Sequence, residues 1–164
     1  MKTRYPVPKI MALALFLVMQ STGLHAQYEP ENIRITENHP RLMMKAGDET
    51  AIRQKIETDE FLKGVHEAIL KKSEEFLNEE PLQRIKIGKR LLDVSRSAFR
   101  QIYYMAYSYR MTGDVRFARK VEKVMLQVCG FTDWNPTHFL DVAEMTAAVA
   151  IGYDWTYDRL SEES

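Results

Sequence analysis

The sequence predicts an all-α fold, and three observations carry that prediction. Apolar residues recur three or four apart in several successive segments, the period of one helical face. Stop and start signals separate those segments, most plainly Gly113-Asp114, where Gly ends one helix and Asp caps the next. No segment alternates apolar and polar residues at a period of two, and no hairpin-turn signal joins two such runs.

The chain begins with the pattern of an export signal. Lys2, Arg4 and Lys9 form a basic front, Ile10 to Gly23 is mainly apolar, and Leu24-His25-Ala26 precedes Gln27. A basic front, a short apolar core and a small residue at the cut describe a secretory signal peptide over residues 1–26. The apolar run falls short of the ~20 residues that span a bilayer, so no stable membrane insertion is expected after cleavage. The expected location is periplasmic or secreted. Removing 26 of 164 residues leaves 138, a length that suits one domain with a real core. The signal takes three basic residues and no acidic one from a balance of 23 against 23, leaving 20 basic to 23 acidic and a net −3. That balance offers no electrostatic case for nucleic acid. The lone Cys129 cannot form an internal disulfide, and beside Val128 and Phe131 it reads as a small buried hydrophobe.

Residues 27–46 read as an irregular lead-in interrupted by Pro30 and Pro40, with His39-Pro40-Arg41-Leu42-Met43 extended and laying Leu42 and Met43 on a core. Residues 47–164 hold the helices. Gly47 or Asp48 caps a short one to about Glu57. Asp59 caps the next, whose apolar positions Phe61, Leu62, Val65, Ile69, Phe76 and Leu77 share a face, and Pro81 ends it. A polar stretch leads to a third helix, about Asp93 to Thr112, with an inner stripe of Phe99, Ile102, Tyr103, Ala106 and Tyr109 or Arg110. The tight Gly113-Asp114 connection makes the fourth helix, Val115 to Gly130, run back along the third. Asn135-Pro136-Thr137 starts the fifth, with Thr137 as cap and an end near Leu160. The class is therefore successive helical hairpins. Ser161-Glu162-Glu163-Ser164 reads as the cap and first turn of a further helix, the mark of a longer protein.

The fifth helix is the most informative. It is apolar nearly all round, which places it inside a protein, yet its front carries His138, Asp141 and Glu144. An unpaired buried charge is costly, so these groups need partners or a cleft. Asp141 and Glu144 sit one turn apart, too close on one helix to face each other across a glycosidic bond. They read as structural acids for arginines of neighbouring helices, with Arg96, Arg100 and Arg110 as candidates. His138 and Asp141 alone offer too few ligands for a metal, and neither a metal nor a cofactor is expected. Tyr103, Tyr104, Tyr107 and Tyr109 span more than one helical face and read mainly as packing with hydroxyls at the edge.

Several segments resemble the heparinase II/III-like polysaccharide lyases. They are His39-Pro40-Arg41-Leu42, the stretch Tyr107-Ser108-Tyr109-Arg110-Met111-Thr112-Gly113-Asp114, and Asp133-Trp134-Asn135-Pro136-Thr137-His138-Phe139-Leu140-Asp141-Val142-Ala143-Glu144-Met145, followed by Gly152-Tyr153-Asp154-Trp155. The resemblance implies an incomplete (α/α) toroid, of which residues 47–164 would be the N-terminal part. It implies β-elimination at a uronic acid of an acidic polysaccharide, of glycosaminoglycan or alginate type. A base takes the C5 proton, the carboxylate is neutralised, and the C4–O bond breaks. The family's proton-transfer motifs are absent from residues 1–164, so the catalytic residues are expected beyond Ser164 and this chain alone is expected to be inactive. The implied sugar contacts are Trp134, Asn135, His138 and Tyr104. Two of them have a plainer alternative: Trp134 as a wedge closing the loop, and His138 as a core imidazole bonded to a carbonyl or to Asp141. Two other functions stay open, a glycoside hydrolase on a similar toroid and a non-enzymatic helical-hairpin binding module.

Overall fold

A computed structural model describes residues 38–162. The export signal, most of the lead-in and the last two residues lie outside that range. Among the described residues there are five α-helices and no strand: α1 Asp48–Thr58, α2 Glu60–Leu77, α3 Leu92–Thr112, α4 Val115–Cys129 and α5 Phe139–Thr156, closed by a 3-10 turn at Tyr157–Arg159. The all-α class is what the apolar periodicity demanded.

The boundaries follow local chemistry. Asp59 accepts hydrogen bonds from the Phe61 and Leu62 N–H groups and starts α2. Gly113, at φ 74°, ends α3 in the left-handed conformation that Gly adopts without a Cβ penalty. Asp114 then accepts from the Arg116 N–H to open α4. Gly47 holds the N-cap position of α1 without a side-chain bond, while the Asp48 carboxylate takes the Lys45 N–H at 2.9 Å.

Cross-helix contacts fix the directions. His66 meets Tyr107, Ser73 meets Ser108, and Glu79 meets Gln101, so α2 runs antiparallel to α3. Leu91 meets Asp141, Arg96 meets Glu144, and Tyr103 meets Trp155, so α3 and α5 run parallel. Between them α4 returns outside. The result is two helical hairpins, α2/α3 and α4/α5, stacked so that α3 and α5 lie side by side. The core forms where they meet: Ile102, Met105, Ala106, Val121 and Ala148 are fully enclosed. Gly152 permits the closest approach. A Cβ there would lie 2.6 Å from Ile102 Cγ2 and 2.7 Å from Met125 Sδ.

Several expectations are corrected. Thr137 does not cap α5. His138 occupies the cap position without a side-chain bond, because the Thr137 hydroxyl is turned toward Asn135 Oδ1 and His138 Nδ1. The α-helix stops at Thr156 and tightens into the 3-10 turn, short of Leu160. Leu42 and Met43 face solvent, with Met43 79% exposed, while Pro40 and Met44 are the buried residues of the lead-in. Cys129 is exposed, as the last residue of α4. The front of α5 is not enclosed either: Phe139 is 82% exposed. Ser161 and Glu162 are not helical.

Candidate binding groove

The loop before α5 is rigidly built. The Asp133 Oδ1 accepts the Asn135 N–H at 2.6 Å, an Asx turn, and the same oxygen accepts from Arg84 Nη2 at 2.6 Å. Asn135 takes a positive φ of 61°, which Asn tolerates better than most residues. Its side chain is buried and donates to the Lys89 carbonyl at 2.8 Å and to Asp141 Oδ2 at 2.7 Å. Trp134 donates its indole N–H to the Val128 carbonyl at 2.7 Å and packs on the cluster of Ala98, Val128 and Met145. The Trp134 indole N–H and both Asn135 amide hydrogens are thus committed inside the protein.

Asp141 is fully buried and anchors the N-terminus of α3. Its Oδ2 accepts from the Leu91 N–H at 2.7 Å, its Oδ1 takes Arg90 Nε at 3.1 Å, and Ser95 donates to its carbonyl at 2.9 Å. Burial pushes the carboxyl pKa up, but the bonds from Asn135, Leu91 and Arg90 outweigh it, and the net shift is downward. Its arginine partner is Arg90, in place of the three expected, Arg96, Arg100 and Arg110. Glu144 does pair with one of those three, Arg96. His138 is half-buried, and its imidazole meets the Thr137 hydroxyl at 3.2 Å instead of the Asp141 carboxylate.

Near the C-terminal end of α5, Asp154 is 2% exposed and ties down the lead-in. It accepts the N–H groups of Arg41 and Leu42, each at 2.8 Å, and meets His39 Nδ1 at 2.7 Å. Trp155 adds a bond from its indole N–H to the Leu42 carbonyl at 2.8 Å. The His-Pro-Arg-Leu segment is therefore a clamp across the C-terminal end of α5.

The open face of the parallel α3/α5 pair holds a groove of about 700 Å³, lined on α3 by Arg96, Phe99, Arg100, Tyr103 and Tyr104 together with Asp93 and Ser97, and on α5 by Glu144. It continues into a hollow of about 450 Å³ over Ala143 and Ala147. The α3 residues recur at i, i+3, i+4 and i+7, one face of a helix. Phe99 and Tyr103 stack at 5.6 Å between centroids, and Tyr103 tilts against Trp155 at 5.2 Å. Arg100 is exposed and makes no hydrogen bond or ion pair among the described residues. Of the sequence-based sugar contacts, the groove includes Tyr104 but not Trp134, Asn135 or His138. Phe99 and Tyr103, taken from sequence as core stripe, are only partly buried and form its floor.

Chemically the groove offers two cations, Arg96 and Arg100, aromatic faces and neutral phenols, beside two carboxylates, Asp93 and Glu144. Burial raises the Tyr103 pKa above its ordinary 10.0, which leaves the phenol protonated near neutral pH and suited to donating a hydrogen bond. Burial likewise raises Tyr107, with nearby Tyr103 adding to it, while His66 holds its hydroxyl at 2.9 Å. Among the described residues no cluster of three or more His, Cys, Asp or Glu side chains could hold a metal ion, and no helix is long and apolar enough to cross a membrane. Comparison with models of protein families finds no match, and comparison with curated proteins finds none.

Proposed function

We propose that the chain is the N-terminal toroid part of an exported polysaccharide lyase of the heparinase II/III-like kind, acting by β-elimination on uronate-containing acidic polysaccharides. The observation that carries this reading is the groove itself. Arg100, an unpartnered cation, stands beside Phe99, Tyr103 and Tyr104. A uronate pyranose needs an aromatic surface for its apolar face and a cation for its carboxylate. The parallel α3/α5 pair with α2 and α4 behind it also suits one sector of an (α/α) toroid, in which further hairpins would cover the exposed Phe139 and Leu140 at the front of α5.

In this reading residues 27–164 bind and orient sugar, and the proton-transfer groups come from a later part of the protein. Arg96 and Arg100 hold carboxylates while a base elsewhere removes the C5 proton. The raised pKa of Tyr103 suits it to donating to a sugar oxygen rather than to removing a proton.

The test is incubation of the full-length protein with a panel of alginate, hyaluronan, chondroitin and heparin. A lyase releases an unsaturated uronate that absorbs in the near ultraviolet. New reducing ends without that absorbance would instead identify a hydrolase, and no cleavage of any polymer would leave a binding module.

A further inference from the structure

Resting on the reading of the groove as a seat for an acidic saccharide, we propose that Glu144 is an exchangeable internal competitor for Arg96. One anionic group of the ligand pairs with Arg100, and a second displaces Glu144 from Arg96. The groove thereby selects saccharides with charges on successive sugars over neutral or singly charged ones.

Three observations support the exchange. Arg96 and Arg100 are four apart on α3, hence neighbours one turn apart on one face. That separation is comparable to the repeat of one pyranose along a chain. Next, the Arg96–Glu144 pair is built to be broken. One nitrogen, Arg96 Nε, is shared between the two carboxylate oxygens at 3.2 and 3.3 Å, and the arginine side chain is 57% exposed. Exposed pairs of this kind contribute little to stability, so a ligand anion can replace Glu144 at small cost. Finally, Glu144 differs from the other acids of α5. Asp141 and Asp154 are buried and fixed by several donors each. Glu144 borders both hollows of the groove and has open space into which to swing.

The test is titration calorimetry of the full chain with tetramannuronate, with a chondroitin-derived tetrasaccharide, and with neutral mannotetraose. The wild type should bind an acidic tetramer and not the neutral one, more weakly as salt rises. Glu144→Gln keeps the shape, frees Arg96, and should tighten acidic binding about two- to fivefold, the range of an exposed ion pair. Arg100→Gln should weaken it roughly tenfold or more. In the double variant Arg96→Gln with Glu144→Gln, the gain from the Glu144 change should disappear. Three results would overturn the inference: no preference for either acid over mannotetraose, no gain with Glu144→Gln, or a gain that survives loss of Arg96. These readouts do not depend on turnover. Binding that behaves as described without unsaturated product would count against the lyase reading alone. Unsaturated product with no Glu144 effect would count against this inference alone.

Discussion

Replacing Asp141 with Ala should destabilise the chain by about 4 kcal/mol. The magnitude follows from what its carboxylate leaves behind. The Leu91 N–H and the Asn135 amide both donate to Oδ2 at 2.7 Å, in residues 0% and 3% exposed. Each buried donor stranded without a partner costs about 1–3 kcal/mol. Arg90, whose side chain is 42% exposed, can turn to water and adds little. Asp141→Asn keeps one acceptor oxygen and should cost less, ~2 kcal/mol. For a domain of this length 4 kcal/mol corresponds to a fall in Tm of roughly 10–15 °C, read by circular dichroism at pH 7. The sign with pH is also fixed. Burial raises the Asp141 pKa, the hydrogen bonds from Asn135, Leu91 and Arg90 together lower it by more, and the folded value lies below 3.8. A depressed carboxylate contributes its full stability above the unfolded pKa and loses it as pH falls through the folded value. The gap between wild type and Asp141→Asn should therefore be full near neutrality and shrink as pH drops below about 3.8. An Ala variant melting within a few degrees of wild type at pH 7 would refute the anchoring role, and so would a gap that does not narrow in acid.

Other consequences can be measured with the same chain. Gly152→Ala places a methyl 2.6 Å from Ile102 Cγ2 and 2.7 Å from Met125 Sδ. Overpacking should cost ~1–3 kcal/mol despite the better helix former, visible as a lower melting temperature. Ser108 and Ser73 share a fully buried hydrogen bond at 2.8 Å; either single Ala variant should cost ~1–2 kcal/mol and the double should cost less than their sum, a coupling that chemical denaturation would resolve. Asp154→Ala removes the acceptor for Arg41, Leu42 and His39, so limited proteolysis should cut near residues 38–46 faster while α3 and α4 stay protected.

The helices were legible because their signals are local. Asp59, Gly113 and Asp114 act within one turn of themselves, and the stripe Ala118, Val121, Met125 and Val128 has one period and one meaning. The ends of α5 were less so. Thr137 has the chemistry of a cap, but Asn135 at positive φ turns the chain so that His138 takes the position. Met43 and Met44 are adjacent and alike in type. Which of them enters the core depends on the hold that Asp154 keeps on the lead-in from 110 or more residues away. Cys129 shows the same limit, since the face of α4 it occupies is known only once the helix has docked.

By itself the sequence determined the all-α class, the hairpin order, the Asp59 and Asp114 caps with the Gly113 stop, and the presence of acids on an apolar helix. Tertiary structure decided which arginine meets which acid, since Arg90 and Arg96 compete on equal chemical terms until α3 and α5 lie parallel. It also decided where a groove opens. The motif around Trp134 and Asn135 drew attention in sequence, yet its polar atoms are consumed in holding a loop. The exposed charge and open rings lie on α3, at Arg96, Phe99, Arg100 and Tyr103, a set spaced like any core stripe. Periodicity tells which residues share a face. Only the packing of a second helix tells whether that face is covered.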